Sequence, residues 1–350
     1  MAKTSIPIEI TESRQRKIIA ISVIVFVLLA ALIVFLDWNQ IHQIMGKAHW
    51  PLALVALLFI IISYCCLSFG YVLVTRVFGI KMGWWKVFEV GVVSTTLNNI
   101  LGFMGTAGHS LRVELIKGPE IDAGEVLASS IFHSYLNNVM LLVMLALGLI
   151  ALLVSRTVYG GSAVGLWLIA AVLIVSLVAS TAIIFVPQFK SRLFHLIETI
   201  WHFFTHHDIA PFLKDFDHAL TRGLITLKNR QWELTLLLAL MAGEWAFEAV
   251  ALWFCFGALG KTPNVGVLLS GFGIGLSAGN LSFIPGGLGV QEASMAGIYA
   301  LLGMSFAQAA LVAILFRVVS DFIPFFISLP FYERLLQKKV VIKPTLSEKL

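Results

Sequence analysis

Six apolar runs, at roughly 18–37, 51–75, 126–154, 163–186, 232–259 and 305–330, dominate this 350-residue chain. Each is long enough to cross a bilayer core of about 30 Å. With 59% hydrophobic and only 12% charged residues, the chain cannot hide its apolar surface from water as a soluble domain does. In lipid every backbone N–H and C=O needs a partner within the protein, which leaves helices or closed barrels. Runs of this length are helical, so the chain is expected to be an all-α polytopic membrane protein. The N-terminal tail, residues 1–17, is too long and too mixed in charge for a secretory leader, and the run after it is read as a retained first span.

Two weaker runs, 87–103 and 264–283, each end in a glycine-rich break followed by a shorter segment. Trp84 and Trp85 precede the first of them, as interfacial anchors do. Lysine and arginine positions constrain how these segments sit. With the N-terminus cytoplasmic and each weak segment entering and leaving on one side, only Lys47, Arg156 and Lys261 fall outside, and Arg317 lies within a span. The remaining positive residues then face the cytoplasm, in line with the positive-inside rule. A single crossing at 87–103 would move the basic loop 190–230 outside. The first break is therefore read as a re-entrant hairpin; the second, 264–283 with 287–303, is compatible with a re-entrant hairpin or with two full spans. The expectation is about six full spans plus two broken hairpins, with both termini in the cytoplasm. The domain reading is a cytoplasmic tail 1–17, a single transmembrane unit 18–330 and a basic cytoplasmic tail 331–350.

The segment 188–230 is the one sizeable polar stretch, and it alternates apolar and polar residues at helical spacing. It is read as an amphipathic helix on the cytoplasmic face, too short to hold a catalytic domain. His206, His207 and Asp208 within it are read as solvated rather than metal-binding. Cys65, Cys66 and Cys255 all lie in apolar runs, so small buried packing residues are expected, with no disulfide framework. Gly271, Gly275 and Gly279 recur every four residues, the pattern of a close helix-packing face.

The two broken regions resemble each other. Asn99 stands six residues before Gly105, and Asn280 six before Gly286; further on, His133 matches Arg317 and Asn137 matches Asp321. The offset is 181 residues in the first block and 184 in the second. Repeat 1 is placed at about 51–156 and repeat 2 at about 232–330. The charge count opens one hairpin from each side of the membrane, which makes this an inverted-topology repeat. Paired broken helices of that kind form substrate sites near the midplane.

The stretch from Asn280 to Asp321 concentrates the costly residues. Pro285, Gly286, Gly287 and Gly289 cannot continue a helix. This break is either a plain turn or a half-helix junction with free N–H groups aimed at an anionic headgroup. Glu292 follows one turn on. Arg317 and Asp321 are spaced i, i+4 and can pair on one helix face. Arginine at mid-span costs roughly 2.5–3.5 kcal/mol on insertion scales, so such residues persist where they line a cavity or a protein interior. Glu244 and Glu248 form another i, i+4 set, able to pair Arg317 or to bind protons. In the first half, Arg112 follows the break, with His109, His133 and Asn137 nearby. No P-loop, nucleophile elbow or H-E-x-x-H word is present.

At P-G-G-L-G-V-Q-E-A, with F-R-V-V-S-D-F-I-P downstream, the chain resembles the transmembrane flippase region of bacterial lysylphosphatidylglycerol synthases and related single-domain proteins. The resemblance implies that Pro285, Gly286, Gly287, Gly289, Glu292 and Arg317 are signature positions. The first-half pattern, roughly P-x-R-x-G-E-x-x-R, is met only by Gly108 and Arg112; Met104, Thr106 and His109 stand where Pro, Arg and Glu are expected. The aminoacyl-transferring domain of the full synthases is missing, so the resemblance implies translocation of a lipid rather than its synthesis. The expected function is a flippase of the cytoplasmic membrane for an aminoacyl-phospholipid, a polyprenyl-linked or a hopanoid-type lipid. Its substrate site would use Arg317, Arg112, Glu292, Asp321, the Pro285–Gly289 backbone, Asn280, Asn99, His133 and Asn137. Glu244 and Glu248 would couple charge or protons. The alternative is a membrane subunit of a lipid-modifying transferase that works with a separate catalytic partner. Expected partners are membrane lipids and a separate lipid-synthesising enzyme, with no nucleic acid, no cofactor and no metal.

Overall fold

The computed structural model describes residues 38–102, 106–118, 121–154, 161–205, 209–282 and 284–340. The expected first span, Met104, the His206–Asp208 loop and the two terminal ends lie outside the described residues. All described regular structure is helical: α1 (Trp38–Gly46), α2 (Trp50–Val77), α3 (Trp84–Leu101), α4 (Thr106–Ile116), α5 (Ala123–Val154), α6 (Gly161–Phe185) and α7 (Pro187–Thr205). These are followed by α8 (Ala210–Asn229), α9 (Gln231–Ala258), α10 (Val265–Leu281), α11 (Val290–Leu301), α12 (Phe306–Arg317) and α13 (Ile323–Val340). A 3₁₀ turn at Pro285–Gly287 joins α10 to α11, and a π turn at Val318–Phe322 joins α12 to α13.

Four helical segments are long and apolar enough to span: Trp50–Val77, Ala123–Leu152, Gln231–Ala258 and Phe306–Leu335. The chain is an integral membrane protein. α6 and α7 together can supply a further span, but they bend by 85° around Val186. Pro187 opens α7, where a missing N–H does no harm. The polar stretch 188–230, expected to hold one amphipathic helix, holds two. α8 buries Phe216, Ala219, Leu220 and Leu227 in a cluster with Phe78, just past the end of α2, and Phe132 of α5. Arg222 of α8 also pairs with Glu125 of α5 at 2.7 Å.

The order of elements repeats. α2, α3, α4 and α5 have 28, 18, 11 and 32 residues. α9, α10 and α11 have 28, 17 and 12, and the joined α12–α13 span has 30. Corresponding elements start 181, 181, 184 and 183 residues apart, so the three-residue insertion falls in the second break. Packing is reciprocal as well. α2 lies along α9, α3 packs on α13, and α10 packs on α5. Each hairpin thus leans on the long helix of the other half.

The glycine stripe makes the α10–α11 packing possible. A Cβ at Gly271 would overlap the Tyr299 ring, and one at Gly275 would overlap the Met295 side chain, while Gly273 abuts Leu145 of α5. Cys255 is buried and Cys65 and Cys66 half-buried, all three as free thiols.

Candidate functional site

The two breaks meet. The N–H of Gly286 donates to the Gly102 carbonyl at 2.8 Å, which joins the second break to the end of α3. Gly286 holds φ of +60°, and a Cβ there would lie 2.8 Å from the Ile100 carbonyl oxygen and closer still to that of Asn99. Only glycine lets the backbones approach this closely.

Arg317 spans this junction. Its Nη2 donates to the Asn99 carbonyl at 3.1 Å and to the Gly286 carbonyl, while Nη1 donates to the Gln291 side chain at 2.5 Å. Nε sits 3.2 Å from Glu292 and 3.1 Å from Asp321. The i, i+4 pairing with Asp321 forms as expected; Glu292, rather than Glu244 or Glu248, supplies the second carboxylate. Glu292 also reaches back to accept the Gly289 N–H at 2.7 Å, half of a capping box that holds the α11 N-terminus. One guanidinium therefore ties α3, the 3₁₀ turn, α11 and the π turn together, 2% exposed.

The π turn has a local cause. Pro324 has no N–H for the Ser320 carbonyl, and the ring would press on it, so the helix widens just before the proline. The freed Ser320 carbonyl accepts the Tyr64 hydroxyl at 3.0 Å. Asn99 completes the network by donating to Tyr64 Oη at 3.1 Å and to Asp321 Oδ1 at 2.9 Å.

A cavity of about 430 Å³ opens beside this knot. Of the residues singled out from the sequence, Asn99, Arg112, His133, Asn137, Glu244 and Glu248 line it. Asn280, Gly286, Gly287, Arg317 and Asp321 also face it, whereas Pro285, Gly289 and Glu292 do not line it. The repeat partners Asn99 and Asn280 differ in setting: Asn99 is held in the Asp321 network, and Asn280 is exposed.

Arg112 is the other cation of the wall, buried at 5% exposure. Nε donates to Ser94 Oγ at 2.7 Å, Nη1 donates to Ser130 Oγ at 3.2 Å, and Nη1 lies 3.4 Å from His133 Nδ1. The guanidinium also stacks 4.0 Å from the Tyr71 ring centroid. His133 Nε2 is 3.1 Å from the Leu67 carbonyl, and His109 Nδ1 is 2.7 Å from Ser130 Oγ. Among the described residues no carboxylate pairs with Arg112. Its charge is held by hydroxyls and a ring, and it remains available to an anion.

The acidic part of the wall lies on α9. Ser63 Oγ donates to Glu248 at 3.4 Å, and Asn137 hydrogen-bonds Glu244. Trp245 Nε1 donates to the Asn137 carbonyl at 2.9 Å, which fixes α9 against α5.

Several participants went unseen in the sequence. Ser63, Tyr64, Ser94 and Ser130 are single polar residues in apolar runs, with no spacing to mark them. Gln291 did carry a signal, because it adjoins Glu292 in the glycine-rich word. Glu89, 1% exposed, pairs with Arg334 at 3.0 Å and ties α3 to α13, across a separation no local pattern shows.

Fold and site together define an integral membrane protein whose apolar helices enclose a charged cavity at two facing helix breaks. The chain belongs to the lysylphosphatidylglycerol synthase TM region family, whose model matches residues 18–328. It is 22% identical over 308 residues to a UPF0104 membrane protein of Methanocaldococcus jannaschii, covering 86% of this chain and 90% of that one. A UPF0104 membrane protein of Methanothermobacter thermautotrophicus matches at 29% identity over 87 residues, a quarter of each chain.

Proposed function

We propose that this protein is a translocator rather than an enzyme, and that it moves a lipid with a polar headgroup across the cytoplasmic membrane. The cavity carries the reading. Charged and hydrogen-bonding side chains from both halves line a space of about 430 Å³ within an apolar helical bundle. Polar linings inside such bundles mark substrate paths. The family match supports a role around lipids, and the aminoacyl-phospholipid, polyprenyl-linked and hopanoid-type classes all offer a headgroup of suitable polarity.

The repeated element order and the reciprocal packing support an inverted-topology repeat, with both termini cytoplasmic as the lysine and arginine distribution argues. In this reading Arg317 is a clamp that holds the two breaks together, since both its Nη atoms donate to the protein and its charge faces Glu292 and Asp321. Arg112 is the headgroup anchor, because hydroxyls rather than carboxylates surround it and a phosphate can take its charge.

Reconstitution in liposomes with a fluorescent phospholipid tests this. The wild-type protein is expected to speed movement of the headgroup between leaflets, and Arg112→Gln to slow it at least tenfold while unfolding at the same temperature. Equal rates in protein-containing and empty liposomes would sink the translocation reading.

A further inference from the structure

Three carboxylates reach the cavity, and one is matched by a cation. Asp321 pairs with Arg317, whereas no lysine or arginine lies against Glu244 or Glu248 among the described residues. Glu244 is 3% exposed, lines the cavity, and its Oε2 has no hydrogen-bond partner among the described residues. The two glutamates share one face of α9, so as a doubly charged pair they repel each other.

The surroundings add no compensating charge. α2 presents Ser63, Tyr64 and Cys66, and α5 presents Asn137, with His133 one turn away against Arg112. The π turn presents Asp321, whose own cation is Arg317 at the end of α12. α10 carries no charged residue at all. α8 meets α9 at the turn before Gln231, about 20 Å along the helix from Glu244.

The groups against the pair are donors. The Ser63 hydroxyl donates to Glu248 and the Asn137 amide to Glu244. Their hydroxyl and amide oxygens could each reach a cation, but with the two carboxylates they fall short of the roughly six oxygen ligands that a hard cation takes. Among the described residues no three His, Cys, Asp or Glu side chains group as a metal site requires. A proton needs one oxygen only.

We propose that the Glu244–Glu248 pair binds one proton from the cavity and couples its movement to that of the lipid. The proposal rests on the translocation reading. The proton adds to one carboxylate oxygen as an O–H, leaving a single charge on the pair. Its loss to water restores two charges beside Asp321, and the added repulsion bears directly on the Arg317 clamp. Protonation and the junction of the breaks are thereby linked.

Proteoliposomes of the full-length protein with a fluorescent phospholipid lacking an amine provide the test. An imposed pH gradient is expected to change the wild-type rate several-fold, and a protonophore to abolish the change. Glu244→Gln and Glu248→Gln should lose the gradient dependence, whatever their rate without a gradient, and Glu248→Asp should restore it. A wild-type protein that moves lipid indifferently to the gradient overturns the coupling, as do glutamine variants that respond like wild type. A sodium gradient that substitutes for the pH gradient overturns it as well. Should no lipid move at all, the translocation reading fails, and infrared difference spectroscopy decides the proton site by itself. A carboxylic-acid band that titrates in wild type and disappears in both glutamine variants supports the site; an absent or unchanged band overturns it.

Discussion

Arg317→Ala separates a clamp from a ligand-binding residue by stability alone. The substitution strands two buried carboxylates, Glu292 and Asp321, and leaves the Gln291 side chain and the Asn99 and Gly286 carbonyls without their donor. Removing one partner of a buried ion pair costs about 3–5 kcal/mol. The lost hydrogen bonds add less, since those measured within membrane proteins average about 0.6 kcal/mol. Protonation of the stranded acids limits the total, so about 3 kcal/mol is expected at neutral pH. Adding Glu292→Gln and Asp321→Asn removes the stranded charge while keeping acceptors for Gly289 and Asn99. The triple variant should therefore recover about 1–3 kcal/mol relative to the single one. Denaturant titration in mixed micelles reads both differences. A single variant that unfolds within about 1 kcal/mol of wild type, as substitutions away from such networks do, would refute the clamp. So would a triple variant no more stable than the single one.

Two further substitutions test the meeting of the breaks. Gly286→Ala forces a Cβ into the Asn99 and Ile100 carbonyls at a positive φ, and a loss of about 1–3 kcal/mol is expected in thermal unfolding. Gly79→Ala, also at positive φ but with open space around it, should lose about 1 kcal/mol or less. Tyr64→Phe removes the donor to the Ser320 carbonyl and an acceptor for Asn99, so about 1–2 kcal/mol is expected by the same measurement. Its effect should shrink in a Pro324→Ala background, where a backbone N–H can reach Ser320 again.

Much of the fold was legible because its signals are local. Apolar runs, proline, glycine and the spacing of Asn99 and Asn280 located the long helices and both breaks. The 181 and 184 offsets reappear in the helix starts. The polar stretch 188–230 was under-read, since helical spacing marks an amphipathic face but does not show that α8 docks on α2 and α5. The π turn escaped too, although Pro324 announces a freed carbonyl at Ser320; the Tyr64 hydroxyl that satisfies this carbonyl comes from α2, far off in the chain.

The site divides along the same line. Most residues that carry charge within the apolar runs were evident from the sequence, because each is costly there and stands out singly, but Glu89 was missed. How they pair was not evident. Four carboxylates competed for Arg317 by type, and only the directions of α11, α12 and the π turn selected Glu292 and Asp321. Asn99 reaches Asp321 across 222 residues of chain. Composition and period thus determined a helical membrane protein with two breaks, since those depend on neighbours along the chain. The tertiary structure alone decided that the breaks touch, that Arg317 bridges them, and that Arg112 and the α9 glutamates face the cavity without a counter-ion among the described residues. Charge pairing is set by distance through space, which residue order does not encode.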